Sequence, residues 1–122
     1  MTNEQALENV GVNMKITKVE SVAVDRFLFA KIYTDEGIVG YGESGAWGFL
    51  EPSAAAIDKF GEYLTGENPL LIEHHWQYMY RFSHFRGAAI MGALSALDIA
   101  LWDIAGKFFG VPVHQLLGGK TR

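Results

Sequence analysis

"GALSALDIALWDIAGKFFG", residues 92–110, decides how the rest of the sequence is read. Set out at about 100° per residue, this segment and its flanks place Ile90, Leu94, Leu97, Leu101, Ile104 and Phe108 in one narrow stripe, the pattern of a helix packed on a core. The far side carries Met91, Gly92, Ser95, Ile99 and Trp102, where a surface helix would place charges. Only Asp103 and Lys107, four residues apart and able to pair, call for water. Asp98 sits beside the stripe, and a carboxylate buried there has to be paired or hydrogen-bonded, which suggests that it ties this helix to another segment. A helix apolar nearly all round is packed between two bodies. Two readings stay open at this point. Either a sheet covers one side and the other helices the second, or the second body is a partner: another chain, or more of the same polypeptide.

Upstream, the hydrophobic period is two. "KITKVESVAV" (15–24) and "FLFAKIYT" (27–34) are rich in β-branched and aromatic residues and are separated only by Asp25 and Arg26, which predicts a hairpin. "IVGYGE" (38–43) follows the turn "TDEG", where Gly37 supplies a positive φ. In the second strand Phe27, Phe29, Lys31 and Tyr33 share one face and Leu28, Ala30, Ile32 and Thr34 the other; helices can cover one of the two.

After residue 50 the period becomes helical. Pro52 and Ser53 open "AAAIDKFGEYL", and Gly66 is placed to close it. Pro69 precedes "LIEHHWQYMYRF", and Gly87 precedes the third helix. The chain therefore reads as α+β, a three-stranded antiparallel β-meander followed by three helices. Residues 1–13 are read as a flexible N-terminal extension and 14–122 as one domain.

Composition narrows the classes of function. With 122 residues, 49% of them apolar, the chain can bury a genuine core. A net charge of -4 without a basic run gives no electrostatic footprint for nucleic acid or an anionic membrane. No cysteine is present, so disulfides, thiolate metal sites and a cysteine nucleophile are excluded. The polar start "MTNEQALENVGVN" lacks the regions of a secretory signal, and Gly92, Ser95, Asp98 and Asp103 interrupt the best apolar run below the roughly 18 residues a bilayer needs. A cytoplasmic protein is expected.

The run "SALDIALWDIAGKFFGVPVHQLLGG" resembles the closing segment of the N-terminal capping domain in the mandelate racemase and muconate lactonizing enzyme branch of the enolase superfamily. The order "MKITKVESV", "GIVGYGES", "NPLLIEHHWQYMYR" and "LLGG" agrees with it over residues 14–122, and "FRGAAIMGALSALDIALWDI" looks most like the acid-sugar dehydratases of that branch. The resemblance implies a cap over the mouth of a (β/α)8 barrel. That barrel holds Mg2+ on acidic residues and carries the lysine or histidine bases that remove the proton α to a substrate carboxylate, the metal stabilising the enediolate. Such a barrel takes about 250 residues. This chain is therefore expected to be a cap without its barrel, itself inactive and holding no catalytic residue or metal ligand, in a parent that acts on a hydroxy acid or sugar acid and forms a homo-oligomer. A cap of a racemase or cycloisomerase, and a non-catalytic α+β module that dimerises through its third helix, are the alternatives.

The resemblance also implies that two cap loops reach the substrate. The first is reduced here to Asp25 and Arg26, short for a lid, with Arg26 as its candidate contact. The second is "SGAWGFLEP", where Gly45 and Gly48 flank a turn carrying Trp47, with Phe49 next to it. The plain alternative is that both rings plug the gap between sheet and first helix. Arg86, in "HFRG" before the third helix, is a candidate carboxylate contact or simply an exposed helix-start residue. His74 and His75, adjacent and about 100° apart on a helix, are read as hydrogen-bonded side chains rather than metal ligands. Glu43, Glu51 and Asp58 form no paired-carboxylate site.

Overall fold

The computed structural model describes residue 2, residues 13–82 and residues 84–122; the proposed extension over residues 1–13 lies almost wholly outside them. Three strands, β1 (Ile16–Val24), β2 (Phe27–Thr34) and β3 (Val39–Ser44), form an antiparallel sheet in the order β1-β2-β3. Four helices follow: α1 (Leu50–Leu64), α2 (Ile72–Arg81), α3 (Ala88–Phe109) and the short α4 (Val113–Leu116). The meander and three helices are as expected from the sequence. α4 was not foreseen, because four residues after Pro112 are too few to display a helical period.

Alternation in β2 divides the sheet into two faces. Leu28, Ala30 and Ile32 are fully buried and Thr34 nearly so, under the helices, while Phe27, Phe29, Lys31 and Tyr33 stay half-exposed on the outer face. Between β1 and β2 the chain turns on two residues, with Asp25 at φ 56° and the pairing Val24 to Phe27 closing the hairpin. α1 starts at Leu50, two residues before the expected opening. Pro52 is then the third helical residue, where an amide would have no intrahelical acceptor anyway.

α3 is the centre of the molecule. Leu94, Leu97, Leu101 and Ile104 are buried as the stripe predicts, but so are Ala93, Ala96, Ala100 and Ala105, which make a second buried surface. That surface lies on β3 at very short range. A methyl group built on Gly42 would collide with the carbonyl oxygen of Ala96, and one on Gly40 with that of Ala100. The glycines of "GYGE" thus let a helix backbone lie directly on a strand. Gly92, assigned to the far side from sequence, instead faces the end of β3: a Cβ there would stand 2.7 Å from Ser44 Oγ. The reason is that small residues allow the close approach and so mark a contact surface, whereas a hydrophobicity pattern counts them as neutral.

Two polar clusters fix the packing, one of them on α3. Asp103 Oδ2 accepts from the Tyr41 backbone N–H at 3.0 Å and from Lys107 Nζ at 2.9 Å, and the same ammonium donates to the Val39 carbonyl at 2.7 Å. The pair expected to face water therefore also covers the backbone of an edge strand, which would otherwise be open to pairing with another chain. At the other side of the helical layer His75, fully buried, joins α1 to α2. Its Nε2 lies 2.7 Å from the Asn68 carbonyl and must donate; Nδ1 therefore accepts from the Tyr63 hydroxyl at 2.8 Å. Burial holds the imidazole below its ordinary pKa and pushes the Tyr63 phenol up to about 12.

The expectation that no segment is long and apolar enough for a bilayer is wrong for α3, whose 22 residues meet both measures. Asp98 and Asp103 are too few to offset six large aliphatic residues. The helix is nonetheless a core element, buried against β3, α1 and α2.

Candidate functional site

The two loops singled out by resemblance converge at one end of the sheet. The Arg26 guanidinium lies 5.2 Å from the Phe27 ring centre and 5.5 Å from that of Trp47, so the hairpin turn and the 45–49 loop form a single patch. Both distances are within cation–π range, so one exposed arginine serves two rings. The loop is tied by short backbone bonds, Trp47 N–H to Gly45 O at 2.9 Å and Phe49 N–H to Ala46 O at 3.3 Å, with Gly48 at φ 85° reversing the chain. Buried Ser44 Oγ accepts from the Ala46 amide at 3.4 Å, fixing the loop's base to β3. Trp47 and Phe49 remain 60% and 70% exposed. Neither ring fills the space between sheet and α1, so the plugging alternative fails for both.

Arg86 is held elsewhere. Its Nε donates to the Tyr80 carbonyl at 3.0 Å and its guanidinium lies 4.0 Å over the Tyr80 ring, a cap on the last turn of α2. Phe27 belongs to the patch and was missed, although its outward position in β2 follows from the alternation. Of the carboxylates set aside, Asp58 accepts a hydrogen bond from Ser21 Oγ at 2.9 Å, joining α1 to β1.

A second surface lies along the uncovered side of α3. Tyr41, Asp98, Ile99, Trp102, Asp103, Val113 and Leu117 line a groove of about 550 Å³ between the edge strand, the helix and α4. Ile99 is 47% exposed and Leu117 63%, and Trp102 is half-buried. Asp98 does not tie α3 to another segment as expected; Asp103 does that. Burial, with Glu73 of α2 adding repulsion, raises the Asp98 carboxyl above its usual range. A larger groove, about 670 Å³, runs along the solvent side of α2 past His74, Tyr78 and Phe82, but the Tyr78 ring there is already stacked on Tyr63 and meets Phe82 at a tilt.

A three-stranded meander with one open face, a long helix laid on its edge-strand glycines and a loop patch at the sheet's end make this an α+β domain, and comparison with known proteins gives the family. Residues 5–118 match the mandelate racemase / muconate lactonizing enzyme N-terminal domain, and the chain belongs to that family. It is 50% identical over 111 residues to the D-galactonate dehydratase of Variovorax paradoxus and 48% identical over 111 residues to that of Pectobacterium atrosepticum. Those alignments cover 89% of this chain and 29% of each relative, so the chain spans under a third of their length. Among solved structures, a member of the enolase superfamily from Salmonella Typhimurium superimposes with a TM-score of 0.84 at 38% identity, covering 89% of this chain and 30% of that one.

Proposed function

We infer that the chain is the substrate-specificity cap of a sugar-acid dehydratase that acts in the cytoplasm, with D-galactonate or a close stereoisomer as substrate. The catalytic part would be a barrel lying beyond these residues, and Mg2+ bound there would supply the fixed positive charge that an enediolate needs. Among the described residues no three carboxylates or imidazoles converge on one point, and both nitrogens of His75 are already engaged.

The observation that carries the reading is the Arg26–Trp47 contact. It joins the two loops by which a cap of this family would touch its ligand, leaving a cation beside the exposed Trp47 ring and the half-exposed Phe27 ring. An arginine suits the carboxylate of an aldonic acid, and an aromatic face suits the C–H edge of its carbon chain. Arg86, committed to Tyr80, is left out of this role.

The test uses the chain extended with the remaining sequence of the Variovorax paradoxus relative. Trp47→Ala is expected to raise KM for D-galactonate about tenfold, with a smaller change in kcat, because the ring acts in binding rather than in proton transfer. An unchanged KM in both Trp47→Ala and Arg26→Ala overturns the assignment of the patch. Dehydration of D-galactonate by the 122-residue chain alone overturns the division between cap and catalytic part.

A further inference from the structure

The groove beside α3 holds two carboxylates with opposite fates. Asp103 is met twice, by the Tyr41 amide and the Lys107 ammonium. Asp98, five residues earlier, is half-buried in a wall that includes Ile99 and Trp102, and among the described residues no hydrogen-bond donor or cation reaches it. Its charged surroundings make matters worse. Glu73 faces it from α2 and Asp103 has the same sign, while Lys107, the cation on this side of the helix, is committed to Asp103 and to the Val39 carbonyl. The remaining titratable group in the wall is the Tyr41 phenol, itself covered by Lys31 and Lys107.

A carboxylate half removed from water beside apolar side chains is unfavourable alone, and it turns favourable when a cation closes over it. The apolar residues around it are open, and the relatives this chain matches carry more than two thirds of their sequence outside the aligned region. A charge of one sign in such a wall fixes the register of whatever packs there and rejects surfaces that offer none to match it.

We propose that the groove between β3, α3 and α4 is covered by the remaining part of the full-length protein, and that this part sets an arginine or lysine against Asp98. The proposal rests on the capping-domain reading and adds to it the chemistry of the joint. The carboxylate is the polar register point of a contact otherwise made by Ile99, Trp102 and Leu117.

The same substitution read in two forms tests it. In the 122-residue chain Asp98→Asn removes a charge that burial disfavours, and because the folded carboxyl titrates above its unfolded value that penalty is complete at neutral pH. The thermal midpoint is expected to rise by about 3 °C. In the chain extended with the remaining sequence of the Variovorax paradoxus relative, Asp98→Asn strands a cation, so the midpoint falls by roughly 3 °C, and Asp98→Glu recovers most of the loss. A rise or no change in both forms overturns the paired cation. Oxidative footprinting of Trp102 and Leu117 reads the docking separately. Protection confined to the extended form supports the joint, whereas equal oxidation in both forms overturns it and leaves the capping-domain reading to the KM values of Trp47→Ala and Arg26→Ala.

Discussion

At Gly42 an alanine has nowhere to put its methyl group. The obstacle is the carbonyl oxygen of Ala96, held inside a helix and unable to swing aside as a side-chain tip would. Gly42→Ala must therefore push α3 away from β3 around Ala96 and Ala100, a loss of roughly 1–3 kcal/mol by the measure of overpacked cores. Gly45→Ala is the control. No atom lies within 4 Å of a Cβ there, so the methyl group meets open space and the expected change is within about 0.5 kcal/mol. Urea denaturation of the two variants checks both values, and equal midpoints for Gly42→Ala and the parent would show that the helix does not rest on the strand as described.

Between α1 and α2 a buried imidazole makes a polar joint beside the stacked Tyr63 and Tyr78 rings, and its protonation state sets the pH response of that joint. His75 must be neutral for Nδ1 to accept from Tyr63 while Nε2 donates to Asn68. Its folded pKa lies below the unfolded value of 6.5, so the unfolded chain binds the proton first. Stability from this site is complete above that value and is lost as pH falls through it toward the folded pKa. Chemical denaturation is expected to give a midpoint that drops as the pH falls below 6.5. His75→Gln, less stable at neutral pH, should lack most of that drop; an unaltered slope would place the pH response elsewhere. The sequence announced a hydrogen-bonded histidine here but not its partners. Tyr63 lies 12 residues away, a distance that no helical spacing encodes. The Asp103–Lys107 pair shows the same limit. Their i,i+4 spacing was legible, whereas their hold on Tyr41 and Val39, 62 and 68 residues earlier, depends on how α3 crosses the sheet.

For the molecule as a whole, the change of period from two to 3.6 near residue 50 was enough to give the α+β order, and the Leu94–Leu97–Leu101 stripe gave the core. The joining of Arg26 to Trp47 was not legible, since they lie 21 positions apart along the chain and only the finished sheet brings its corners together. What the sequence did raise is whether α3 is covered on both sides, and the structure answers it unevenly: the alanine and leucine surfaces are sealed by β3, α1 and α2, while Ile99, Trp102 and Leu117 remain open. Removing each such side chain from water is worth roughly 1.5–3 kcal/mol, so the 122-residue chain gains by associating through this face. Because the groove is lined by apolar residues and by Asp98, whose negative charge meets no cation among the described residues, two copies set face to face would bring like charges together, and a closed, saturable dimer is disfavoured. Sedimentation velocity is therefore expected to show weight-average size increasing with concentration without reaching a plateau, accompanied by binding of an apolar dye. Ile99→Lys combined with Leu117→Lys should return the chain to a monomer and abolish the dye signal, since both positions are exposed and neither supports the core. A sharp dimer that survives the double substitution would put the contact on another face, the open side of the sheet around Phe29 and Tyr41 being the next to try.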